Sequence, residues 1–222
     1  MGDNLWSILG FVICLFSCLL IILAFSTPYW IEPENRAAII QTQLEKLGLW
    51  EICFAGYSDN RDSFGRTYNG CWWIFSREYD AIRKYILKGW FATTQALATL
   101  ALILSLSCVL FGILLLLKCL PKMGQRYSAL FVCLANYLNF ILLAVGLIYF
   151  GTHADTDRSW LKHPNLRKLS WSFYVATIGG ILAILSAMCY TVYWMKIRKG
   201  GERSTAYRAR ELHTYRADRY YR

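Results

Sequence analysis

Eight cysteines and three histidines are the residues with which this 222-residue chain could do chemistry. Thiolates ligate metals, attack electrophiles or cross-link, and imidazoles act as bases or ligands. The spacing supports little of this. No Cys-x-x-Cys, His-x-x-x-His or P-loop pattern occurs. His153 and His163 lie in one short polar segment and His213 in a basic tail. Cys53 and Cys71 share a long polar segment with Trp30 and the run Gly48-Leu49-Trp50. Cys14, Cys18, Cys108, Cys133 and Cys189 lie in apolar runs, where cysteine is a small packing residue. Cys119 follows Lys118 at the end of one such run and is a palmitoylation candidate or an inert thiol. No catalytic residue, metal site or cofactor is expected.

The elements that position these residues follow from charge. The chain is 56% hydrophobic and 17% charged, where soluble domains average about 25% charged. The deficit is local: no Asp, Glu, Lys or Arg occurs between Asp3 and Glu32, Lys88 and Lys118, Arg126 and Asp155, or Lys168 and Lys196. Each gap exceeds the roughly 20 residues that cross a bilayer. Four transmembrane helices are therefore expected, at about residues 5–25, 89–117, 127–150 and 171–195. They contain no ionisable Asp, Glu, Lys, Arg or His, which argues against a proton relay, an intramembrane metal site and ion-coupled transport. Ala24-Phe25-Ser26 could be read as a signal-peptidase site, but no basic residue precedes the first apolar run, so a retained span is expected.

Net charge is +10, and its placement orients the spans. The turn with Lys118, Lys122 and Arg126 has no acid, and the tail from Lys196 is strongly basic. Both read as cytoplasmic, so both termini do as well. The loop 26–88, with bases and acids in balance, and the loop 151–170 read as extracellular. The basic excess thus implies anionic lipid rather than nucleic acid. Residues 1–195 form one membrane domain and 196–222 a tail expected to be disordered. Lys196, Arg198, Lys199 and Arg203 are its candidate lipid-binding residues.

Loop 26–88 is long enough to fold. Leu47 to Phe54 and Gly70-Cys-Trp-Trp-Ile-Phe75 show the partial alternation of strands, and Ser58 to Ser63 reads as the turn between them. Cys53 and Cys71 are the only extracellular cysteines, so a disulfide is expected to tie the hairpin. Closing such a loop is worth about 3 kcal/mol in the chain-entropy model. Tyr79, Ile82, Ile86 and Leu87 recur at helical spacing, which predicts an amphipathic helix over Ser76–Lys88. The second uncharged stretch is longer than a bilayer needs, so its helix tilts or projects outward, and Thr93, Thr94 and Gln95 favour projection of its outer turns.

Trp30, Gly48-Leu49-Trp50, Cys53, Cys71 and then Arg83 before the second span resemble the pattern of the claudin superfamily, the four-span proteins of junctions and myelin. The resemblance covers nearly all of the chain except the tail. It implies a mainly α membrane protein: a left-handed four-helix bundle under a small extracellular β-sheet from loop 1, joined by a strand from loop 2. It also implies lateral assembly, pairing between cells and a role at paracellular pathways. The wide gap between the cysteines, the run Gly70-Cys-Trp-Trp-Ile-Phe and the exit Leu169-Ser-Trp-Ser-Phe look more like the claudin-like proteins of invertebrate septate junctions. Many claudins end in Tyr-Val, read by PDZ domains. Here Arg219-Tyr-Tyr-Arg222 offers that pocket no apolar terminus, so direct PDZ binding is not expected.

Two functions from different classes follow. One is a plasma-membrane junction protein whose partners are itself, related claudin-like proteins, other junction proteins and membrane lipids, forming or organising a paracellular barrier. The other is an auxiliary subunit of an ion channel or receptor, like the calcium-channel gamma relatives of this fold. Those usually carry a first-loop glycosylation sequon, and this sequence has no Asn-x-Ser/Thr, which mildly favours the first. Inside the spans, Asn136 and Asn139 predict interhelical hydrogen bonds, with a polar conduction path as the alternative. Gly179-Gly180 predicts a close-packing point rather than a hinge. Arg83 could pair with Asp80 or Glu78, or snorkel at the membrane edge.

Overall fold

The computed structural model describes the backbone of residues 2–62, 64–158, 160–161 and 166–220, and their side chains outside 2–4 and 202–220. Four helices are long and apolar enough to cross a membrane. They are α1 (Gly2–Ser26), α4 (Gly89–Leu116), α5 (Lys122–Thr156) and α6 (Trp171–Tyr220). Each satisfies its own backbone, as lipid demands. They form a ring in which α1 packs on α4 and α6, and α5 packs on the same two.

Small residues let these helices approach. The Ser17 hydroxyl donates to the Gly179 carbonyl at 2.7 Å, and Ser186 donates to Gly10 at 2.9 Å. A Cβ on Gly179 would lie 3.1 Å from the Ile21 side chain, so that glycine is a close-packing point. Large apolar side chains such as Phe16, Leu106, Ile141 and Ile181 point outward, where lipid would meet them. Asn136 bonds within its own helix, donating to Val132 O at 2.9 Å; its contact across the bundle is the Cys14 sulfur at 3.9 Å. The buried Asn139 amide has no hydrogen-bond partner among the described residues.

Above one end of the ring lies a five-stranded antiparallel sheet in the order β4-β3-β2-β1-β5. Four strands come from the first loop: β1 (Ile31–Pro33), β2 (Leu44–Leu47), β3 (Glu51–Ser58) and β4 (Thr67–Trp73). The edge strand β5 (Arg167–Leu169) comes from the second loop and pairs Ile31 with Leu169. Bulges interrupt β2 at Leu44/Lys46 and β3 at Ala55/Tyr57, and Gly56 takes φ +76° in the second. Disulfide-linked Cys53 and Cys71 sit opposite each other in the β3–β4 register.

The structure departs from sequence expectation in three places. A helix α2 (Arg36–Thr42), capped by the Asn35 side chain on Ala38 N–H at 2.8 Å, precedes β2 where no helix was expected. Ser76–Lys88 is not one amphipathic helix. It is a 3-10 turn at Arg77–Tyr79 and a single-turn α3 (Arg83–Ile86). Tyr79, Ile82 and Ile86 are buried as their spacing implies, but two tethers break the rod: Tyr79 Oη donates to Ile52 O at 2.9 Å, and Arg83 takes the carbonyls of Ile74 and Ser76. Finally, the backbone stays helical from the fourth span through Tyr220 instead of ending near 195 in a disordered tail. The lack of proline after Met195 permits this, although Gly200-Gly201 is unfavourable within a helix.

Candidate functional site

Trp30, at the mouth of the bundle, lies between the end of α1 and the first residue of β1. Its indole N–H donates to Ala24 O at 2.8 Å, satisfying a carbonyl that the end of α1 leaves free. Its backbone N–H donates to Leu47 O, and its carbonyl accepts from Ser170 N–H. The ring is buried, edge-on to Phe150 at 5.0 Å and Phe173 at 6.0 Å. One residue thereby joins α1, α5, α6, β2 and the second loop.

Gly48 lies on the backbone that leaves α1. A Cβ there would sit 2.5 Å from Pro28 Cα and 2.8 Å from Thr27 O, and backbone cannot move aside as a flexible side chain can. Leu49 is fully buried, and its carbonyl accepts from the Gln95 amide of α4 at 2.5 Å. Trp50 is only partly buried; its ring meets Phe25 at 5.2 Å and Phe75 at 6.4 Å. Its backbone carbonyl accepts from Ile74 N–H at 2.8 Å. The buried Trp side chains are Trp30, Trp90 and Trp160.

Arg83 pairs with Asp80 and not with Glu78. Its guanidinium donates to Ser76 O at 2.7 Å and Ile74 O at 3.2 Å, and lies 6.0 Å over Phe75. It closes the segment between β4 and α4. Glu51 lies beside Cys53 and Cys71, but those sulfurs are bonded to each other and offer no thiolate to a metal.

A second corner carries charges. Asp59 accepts from the Arg61 guanidinium at 2.7 and 2.8 Å and from Tyr57 Oη at 3.0 Å. The Arg61 bonds hold its carboxyl down at about 2. Arg61 also lies 4.3 Å over the Tyr85 ring and reaches Trp160 O at 3.4 Å, linking the two loops. Asp62 organises its own turn through Phe64 N–H, Arg66 N–H and Tyr68 Oη. The fully buried Trp160 donates to Ile86 O at 2.7 Å and stacks edge-on against Trp90 at 4.6 Å. Trp90 donates to Asp157 at 3.0 Å, and its ring stacks with His153.

Arg167 of β5 lies 5.3 Å over Trp160, and its guanidinium nitrogens have no hydrogen-bond partner among the described residues. Burial pushes that guanidinium down to about 10. Sequence reasoning missed Gln95, Trp90, Trp160 and Arg167 as site residues. Only Gln95 carried a usable signal, a lone amide beside an apolar span.

At the other end of the bundle, the Cys119 thiol is free and exposed. Lys196 lies 5.9 Å over the Trp6 ring and Arg198 5.7 Å over Trp194. Lys199 is exposed; the Arg203 and His213 side chains and all of His163 lie outside the described residues. A family model described as PMP-22/EMP/MP20/Claudin tight junction matches residues 15–192. No curated protein matches the chain.

Proposed function

We propose, from the premise that the chain belongs to the PMP-22/EMP/MP20/claudin family, that it assembles laterally and between cells to form or organise a paracellular barrier. Its four apolar spans and that family make it a multi-pass membrane protein. The observation that carries the reading is the rigid seat of the sheet. Trp30 is bonded to the end of α1, Gly48 is in contact with Pro28, and Gln95 holds Leu49 from α4. A platform fixed this way on its span presents the same surface to every neighbour, which suits repetitive assembly and not capture of a distant ligand.

In this reading the sheet faces the extracellular space, both termini are cytoplasmic, and the protein lies at lateral cell–cell contacts. Its partners are copies of itself or related proteins, other junction proteins, and lipids held by Lys196, Arg198, Lys199 and Arg203. Cys119 is its acylation site. Removing the protein from an epithelium that expresses it should let a dextran-sized tracer pass between cells while polarity is kept. Trp30→Ala should reproduce that loss. Normal tracer exclusion and normal junction strands without the protein would overturn the barrier reading. Co-purification with a channel would then support the auxiliary-subunit role.

A further inference from the structure

We propose that the foot of β4, a ledge made by Trp73 and Phe75, is seated in the phospholipid leaflet on the sheet's side of the membrane. The sheet would then rest on lipid at a point beyond the bundle. Polarity along β4 is graded. Its far end, Thr67 to Gly70, shows water a polar edge, whereas the near end runs Cys-Trp-Trp and leads directly into Ile74 and Phe75. Trp73 is 56% exposed and Phe75 37%, with ring centroids 5.2 Å apart. Such a pair in water leaves a large apolar surface without a partner.

What covers the ledge follows from continuity. Phe75 meets Trp50 at 6.4 Å, and Trp50 meets Phe25 at 5.2 Å. Phe25 belongs to the last turn of α1, beside the exposed, lipid-facing Ile22 and Leu23. An unbroken apolar surface therefore runs from the outer face of a membrane span onto β4. Its rim is polar in the manner of a headgroup boundary: Arg83 lies over Phe75 and is neutralised by Asp80, and the Trp72 indole N–H turns to Asn69 O at 3.0 Å. Indole rings prefer this boundary, with an apolar body and a polar edge. Phe64, 70% exposed in the β3–β4 turn, has no such continuity and is not part of the ledge. Seating the foot in lipid leaves only the Thr67–Gly70 portion of this edge strand open to another chain. The proposal needs the protein to span a membrane and does not depend on barrier function.

The test uses single copies of the full chain in phosphatidylcholine nanodiscs. A nitroxide is placed by Trp73→Cys or Phe75→Cys in a Cys119→Ala background, with Thr67→Cys as the control. Collision with oxygen, which concentrates in lipid, should exceed collision with a water-soluble nickel chelate several-fold at 73 and 75, and the order should reverse at 67. Nickel access at 73 matching that at 67 would overturn the proposal. So would shielding from both reagents, which would mean that protein covers the ledge. Should the cysteine variants disturb the Cys53–Cys71 bond, quenching by phosphatidylcholine brominated near the headgroup decides. Trp73→Phe should remove a quenched share of the intrinsic fluorescence, and an unchanged quenched share would overturn the proposal.

Discussion

Over α1 the sheet is held by neutral hydrogen bonds and backbone in direct contact; at the second-loop corner it is held by charges and stacked rings. In the first region Trp30, Leu49 and Gln95 pair donor with acceptor at 2.5 to 2.8 Å, and Gly48 removes the one side chain that would keep the strands off α1. In the second, Arg61 bridges Asp59 and Trp160, while the half-buried Arg167 lays its guanidinium on an indole face with no hydrogen-bond partner among the described residues. Neutral pairs are cheap to bury, whereas a buried guanidinium carries a desolvation cost that stacking offsets only in part. The α1 corner should therefore be intolerant of change and the charged corner tolerant.

Gly48→Val should have the largest effect. A side chain aimed at the Pro28 backbone costs about 3 kcal/mol or more, and little folded protein should reach the cell surface by surface biotinylation. Wild-type surface levels would remove the reason for the asymmetry. Loss of the disulfide by Cys53→Ala comes next, at about 2–5 kcal/mol, read as retention before the surface. Gln95→Leu keeps the packing volume but leaves the buried Leu49 carbonyl unpaired. That costs about 1–3 kcal/mol and should lower Tm in detergent, with Gln95→Glu, protonated at low pH, partly restoring it.

The charged corner should respond less. The Asp59 carboxyl is depressed to about 2 from its ordinary 3.8. A depressed acid contributes stability above the ordinary value and loses it as pH falls through the folded one. The Tm difference between wild type and Asp59→Asn should thus be constant above about pH 4 and shrink below it. It should be small, because Arg61 is 37% exposed. Arg167→Met should be the mildest change: it keeps a long apolar stem on Trp160 and removes a guanidinium that has no hydrogen-bond partner among the described residues, leaving Tm equal or higher. A marked fall in Tm would mean that Arg167 contributes as much as the α1 corner does.

The four spans, the Cys53–Cys71 bond and the β3–β4 hairpin were legible because each is local or enforced by the solvent. Helix α2 was not, although Asn35 is a good N-cap residue, because seven residues of mixed polarity give a weak periodic signal. The segment Ser76–Lys88 shows the opposite error: the buried face was right and the element wrong. Contacts from Tyr79 and Arg83 to distant carbonyls outweigh a marginal helix of that length. Of the site, Trp30 and Gly48 could be singled out by position, but their tasks could not. Trp50, of the same run as Gly48, is only partly buried, whereas Trp90 and Trp160, which no pattern marked, are buried.

By itself the sequence determined what each segment could be. A bilayer admits only segments whose backbone groups are satisfied internally, and charge-free stretches of span length leave one solution. The tertiary structure alone decided which residues hold the sheet to the bundle. Gln95 finds Leu49 across 46 positions, Arg61 finds Trp160 across 99, and β5 joins β1 from the far loop. These pairings depend on two loops meeting above a closed ring of helices. No window along the chain contains both partners, so their identity follows from packing distance and not from local pattern.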